Sequence, residues 1–145
     1  MIALACDHGG YTLKETVKKP LLEQGYEVRD FGTNSLDSCD YPDYGAPAAR
    51  AVASGECDRG ILICTTGIGM SIAANKIRGI RCAHCSDVYS AEKSREHNDA
   101  NMIALGGRVV GQGLAEKIVD AFLDTEFLGG RHADRVQMMM ELENP

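Results

Sequence analysis

The chain has 145 residues and carries 15 Lys+Arg against 21 Asp+Glu, a formal charge of −6, with 44% hydrophobic and 25% charged residues. That length suits a single domain spanning 1–145 that can bury a proper core without staples, and the composition excludes disorder, collagen and coiled coil. The acidic balance argues against nucleic acid or an anionic membrane as partner, since both require a cationic surface, and leaves room for a local basic pocket.

Short β-type runs alternate with longer amphipathic ones. Ile2–Cys6 reads as a strand, Tyr11–Gln24 as a helix with Leu13, Val17 and Leu21 on one face, and Pro20 as a kink or break within it. Tyr26–Phe31 reads as a second strand, followed by a polar loop over Gly32–Tyr44 and an Ala-rich helix over Ala46–Ser54. Gly60–Cys64 is a continuous apolar run, typical of a strand covered on both faces. A helix over Gly69–Ile77, a strand over Arg81–Cys85, a helix over Val88–Arg95, a strand over Met102–Leu105 and a helix over Gln112–Leu123 follow. A last helix starts near Arg131 and runs to about Leu142. The expected fold is therefore α/β: a single doubly wound, Rossmann-like domain around a five-stranded parallel sheet. Sheets of this kind bind ligands beyond the carboxyl ends of their strands, so the strand-to-helix turns are the places to look for chemistry.

Six cysteines are spread along the chain. Met1 leads directly into an apolar strand, with neither the basic region nor the longer apolar region of a secretory leader, and no apolar run reaches the ~20 residues of a membrane span. The reading is a cytoplasmic protein with reduced thiols, in which a special cysteine is catalytic rather than bridging. Cys82 and Cys85 have C-x-x-C spacing, but they fall within an expected buried strand and no second pair exists. Core packing is the better account of them than zinc, and no metal is expected.

Four turns stand out. Cys6-Asp7-His8-Gly9-Gly10 places ionisable groups at a strand end, followed by glycines that admit a ligand close to the backbone; alternatively, Asp7 only caps the helix. Cys64-Thr65-Thr66-Gly67-Ile68-Gly69 can form a nest of N–H groups for an anion at a helix N-terminus. It fits neither the dinucleotide fingerprint, because Ile72 stands where a third glycine belongs, nor a phosphate-binding loop with its lysine. Cys64 sits where a helix N-terminus favours a thiolate, or it merely ends an apolar strand. His97 and Asn98 close the fourth helix, where a histidine can simply complement the helix dipole. Arg131 and Arg135 lie one turn apart on one helix face, which suits a phosphate, or they form a solvated face paired with Asp134 or Glu141.

Cys6–Gly10, Gly60–Lys76, Ser94–Asn101 and Gly129-Gly130-Arg131-His132-x-x-Arg135 together closely resemble type B ribose-5-phosphate isomerases over nearly the whole chain. The related galactose-6-phosphate isomerase subunits share the fold and the glycine turn but lack His97-Asn98 and the Gly-Gly-Arg-His ending, so the ribose branch fits better. The resemblance implies an aldose–ketose isomerase acting on D-ribose 5-phosphate and D-ribulose 5-phosphate without metal or cofactor. It implies that Cys64 moves the proton between C2 and C1, that Thr66 assists with the hydroxyl proton, and that Thr65, Thr66, Gly67, Ile68 and Gly69 form the anion hole. His97, with Asp7, opens the furanose ring; His8, Arg108, Arg131 and Arg135 hold the phosphate, and Asn98 the sugar. A homodimer, or a dimer of dimers, is implied, with the C-terminal helix packing on a partner subunit and the site shared between subunits. One departure is that Thr65 stands where the family usually has glycine, which raises the question of whether the turn needs a positive φ there. Two other functions remain in play: isomerisation of a six-carbon phosphosugar such as allose or galactose 6-phosphate, and a non-catalytic nucleotide- or phosphosugar-binding module. In the latter, Asp30, 20 residues after Gly10, would take the ribose.

Overall fold

The computed structural model describes residues 1–145. Its elements are β1 (Ile2–Cys6), α1 (Tyr11–Glu23), β2 (Val28–Asp30), α2 (Pro42–Ala53), β3 (Arg59–Cys64), α3 (Ile68–Asn75), β4 (Cys82–His84), α4 (Val88–Glu96), β5 (Met102–Gly106), α5 (Gln112–Asp124) and α6 (Arg131–Glu141). The strands form one sheet in the order β2-β1-β3-β5-β4, and every pairing is parallel.

Side chains alternate across the central strands, as the pleat requires. Leu4, Cys6, Ile61, Ile63, Ile103 and Leu105 face one layer, packing on Leu13, Val17, Ile118 and Phe122 of α1 and α5. Ala3, Ala5, Leu62, Cys64, Met102 and Ala104 face the other, where α2 and α3 supply Ala48, Ala49, Val52, Met70 and Ala74. The second layer is built mostly from small residues, so its two helices approach the sheet closely. Cys82 belongs to one layer and Cys85 to the other, so the C-x-x-C pair divides between two cores rather than converging on an ion.

Several boundaries differ from the sequence reading. α1 runs unbroken through Pro20, which lies in its last turn, where one hydrogen bond is forfeited while the next residue, Leu21, is held in the core. α2 begins at Pro42, four residues before the expected start, because a proline at the first helical position sacrifices an N–H that has no partner there anyway. β2 and β4 are shorter than expected, at three residues each. The exposed side of β4 is covered by the side-chain amide of Asn75, which accepts from Cys82 N–H at 2.8 Å and donates to its carbonyl at 2.9 Å. This mimics a neighbouring strand and blunts the sheet edge.

The strand order reverses between β1 and β3, opening a crevice at their carboxyl ends. α6 contributes no buried residue. The end of the chain is tied back through Arg81 to Met140 Sδ and Gly79 N–H to Glu143 Oε1. No helix is long and apolar enough to cross a membrane.

Candidate active site

The crevice is lined by the turns after β1, β3 and β5. Asp7 is buried, and its Oδ1 accepts from the N–H groups of Gly9 (2.9 Å) and Gly10 (3.1 Å), so it does cap its turn; Oδ2 makes no hydrogen bond within the chain. His8 Nδ1 accepts from Cys39 N–H at 3.2 Å, which places the ring proton on Nε2 and makes that nitrogen a donor. The adjoining loop is held by Lys14, a fully buried lysine whose Nζ donates to Asp30 (2.9 Å), to the Thr33 carbonyl (2.6 Å) and to Asn34 (3.2 Å). Asp30 also binds Lys18 and Gly32 N–H. With its carboxylate committed to two ammonium groups and one backbone amide, Asp30 has no role as a ribose-binding acid, and the nucleotide-module reading loses its anchor.

Cys64 ends β3, 5% exposed, with Sγ accepting from Gly67 N–H at 3.1 Å. Gly67 has φ +83°, and a Cβ there would crowd the Leu105 backbone and the His84 ring at 2.8–2.9 Å, so the turn demands glycine. Thr65 does not adopt a positive φ; Asp99 is the one non-glycine residue that does. The left-handed position of this turn is thus at Gly67, and Thr65 is accommodated without reshaping. Its Oγ1 lies directly against Gly9, where a Cβ would overlap it, and this contact locks the β1 and β3 turns together. Thr66 Oγ1 accepts from Ile68 N–H at 3.2 Å, leaving its hydroxyl proton free to donate. In the first turn of α3, the N–H groups of Gly69 and Met70 have no acceptor within the chain, and they are available to an anion. Tyr41, not singled out in the sequence, packs its ring over Gly69. Arg108 is exposed beside this crevice, anchored by its N–H to the Thr65 carbonyl at 3.1 Å, and its guanidinium makes no ion pair.

The other half of the expected set lies elsewhere. His97 and Asn98 precede β5, at the amino end of the sheet, and join Arg131, His132, Arg135, Val136 and Met139 around a cavity of about 400 Å³. The strand pairs Gly60–Met102 and Cys64–Gly106 mark the two ends of the sheet, about 13 Å apart at ~3.3 Å per residue. Within one chain His97 is therefore not beside Asp7, and the expected pairing of these two does not occur there. Arg131 and Arg135 are exposed and make no ion pair with Asp134 or Glu141, so the two guanidiniums are solvated but not self-paired.

The model of the Ribose/Galactose Isomerase family matches residues 2–139. The chain belongs to that family. It is 54% identical over 142 residues to ribose-5-phosphate isomerase B of Escherichia coli, covering 98% of this chain and 95% of the relative. The solved structure of ribose-5-phosphate isomerase B from Clostridium thermocellum superposes with a TM-score of 0.97 at 59% identity, covering 99% of this chain and 97% of that one. A D-erythrulose-4-phosphate isomerase of Pectobacterium atrosepticum is 45% identical over 141 residues, covering 94% of this chain and 90% of the relative. Family membership thus extends over the crevice, the α3 turn and most of α6 alike.

Proposed function

We propose that the protein interconverts D-ribose 5-phosphate and D-ribulose 5-phosphate, with Cys64 as the base. The observation that carries this reading is the set of N–H groups around one thiol: Gly67 donates to the sulfur, while those of Gly69 and Met70 stand free beside it. After ring opening, the Cys64 thiolate removes the proton from C2 of the aldose, and negative charge develops on O1. The free N–H groups stabilise that enediolate; oriented donors of this kind are worth about 3 kcal/mol each. Thr66 relays the O2 hydroxyl proton to O1, and Cys64 returns its proton to C1, giving the ketose. Atoms balance with no redox partner.

His97 and Asp7 open the ring, and His8, Arg108, Arg131 and Arg135 hold the phosphate, with Asn98 on the sugar. Because these groups occupy opposite ends of one sheet, the reading requires two copies of the chain: the crevice of one faces the α6 cavity of the other. The exposed apolar side chains Ile68 and Ile72 of α3, beside the crevice, give the second copy an apolar surface to cover. The five-carbon substrate is supported by the relative at 54% identity that bears that name, and the four-carbon name of another relative makes chain length the natural variable to test.

The deciding experiment is a coupled assay of the purified protein on four-, five- and six-carbon aldose phosphates, with Cys64→Ala as control. Preferential turnover of ribose 5-phosphate, abolished in the variant with phosphosugar binding retained, is expected. Near-normal turnover by Cys64→Ala would overturn the assignment of the base.

A further inference from the structure

One side chain in the α6 cavity has no task in this scheme. His132, in the first turn of α6, lays its imidazole parallel to that of His97, with centroids 4.3 Å apart and planes inclined by 11°. The His97 ring makes no hydrogen bond within the chain, so the stacked face of His132 is the contact that fixes its orientation. The charged groups nearest the pair are Arg131 and Arg135 on α6 and Glu96 on α4, the last already paired with Lys93 at 2.5 Å. Two imidazolium rings stacked this closely repel each other, and the two guanidiniums add to the repulsion. Desolvation, then the charges of His97, Arg131 and Arg135, hold His132 below the usual histidine range.

We propose that His132 is a positioning residue for ring opening: its ring is the platform that holds the His97 imidazole in a single plane. This rests on the reading of His97 as the ring-opening group. Losing orientation while keeping the group forfeits part of the 10²–10⁴-fold that a placed acid or base contributes.

The test separates ring chemistry from proton transfer at carbon. Ribulose 5-phosphate is acyclic, because its C5 oxygen is esterified, so exchange of its C1 hydrogen with solvent deuterium needs Cys64 but no ring opening. His132→Ala should lower kcat on ribose 5-phosphate by about tenfold or more, with KM within about twofold and C1 exchange unchanged. His132→Phe, which keeps a flat ring on His97 without a titrating nitrogen, should recover most of that loss. Wild-type kcat in His132→Ala, alongside a crippled His97→Ala, overturns the positioning role alone. Failure of His132→Phe to rescue, with a raised KM, overturns it in favour of direct substrate contact by His132. Undiminished turnover in His97→Ala overturns the reading of His97 itself. His132 is half-exposed and outside the core, so these variants keep the fold, and a thermal melt matching wild type verifies it.

Discussion

The two ends of the sheet solve different problems with different materials. At the carboxyl end the groups are buried and fixed: a thiol 5% exposed, a carboxylate capping its own turn, and backbone N–H donors set by a glycine that must be glycine. At the amino end they reach toward solvent: two unpaired guanidiniums, two stacked imidazoles and an amide around an open cavity beside a helix with no buried residue. Proton transfer at carbon needs pre-placed dipoles and little reorganisation, and a buried strand end supplies that. Capturing a phosphate needs charge that reaches into solvent, and long side chains on an outer helix supply that. The difference explains why neither end is a complete site by itself.

The contrast is sharpest between Cys64 and Cys6, which end adjacent strands. Cys6 Sγ donates to the Thr33 carbonyl at 3.5 Å, and burial pushes its thiol up to about 12, so it stays protonated. Cys64 Sγ instead accepts an N–H. Burial likewise pushes the Cys85 thiol up to about 11. The largest expected effect is therefore a split between two identical substitutions. Cys64→Ala should cost about 10³-fold or more in kcat, while Cys6→Ala stays within about twofold of wild type and loses only ~1–2 kcal/mol of stability as a small buried group is removed. Parallel steady-state assays and urea melts check both; equal losses of activity would erase the distinction.

Removing a guanidinium at the amino end should act on binding. Arg135→Ala and Arg131→Ala are each expected to raise KM about 10-fold or more, as befits a charged hydrogen bond worth about 1.5–3 kcal/mol, with a much smaller change in kcat. Inorganic phosphate, as a competitive inhibitor, should weaken in step. A kcat effect with unchanged KM would place these arginines at the chemistry instead.

The smallest effect concerns the loop behind His8. Burial opposes the Asp30 carboxylate, but Gly32 N–H and the amines of Lys14 and Lys18 outweigh it and hold Asp30 below its ordinary value of 3.8. A carboxyl lowered on folding stabilises above its unfolded value, and that contribution disappears as pH falls through the folded one. Denaturation midpoints measured from pH 6 downward should show this loss below about pH 4, and Asp30→Asn should flatten it. An unaltered pH dependence in that variant would contradict the role.

Much of this was legible beforehand. The strand-end clusters at Cys6–Gly10 and Cys64–Gly69 follow from apolar runs meeting glycines, and the helix face shared by Arg131 and Arg135 follows from their spacing of four. Pro20 and Pro42 misled the boundaries because the tolerance of a helix for proline depends on where the turn ends and what the core holds, as Leu21 does here. The separation of His97 from Asp7 was implicit in topology, since in a parallel sheet a residue before a strand lies at the opposite end from one after it. The His97–His132 stack left no trace in the sequence, because it joins a helix end to a helix start across 35 positions and depends on how α6 folds back.

The most direct test of a site made from two half-sites is complementation. Cys64→Ala and Arg131→Ala/Arg135→Ala chains, each nearly inactive on ribose 5-phosphate at low concentration, are unfolded together in equal amounts and refolded. If each crevice is completed by another copy's α6, half of the dimers are mixed and each carries one intact site, so activity returns to about a quarter of wild type. If each chain carries its own complete site, the mixture stays as inactive as its components, and the account of two cooperating ends is wrong.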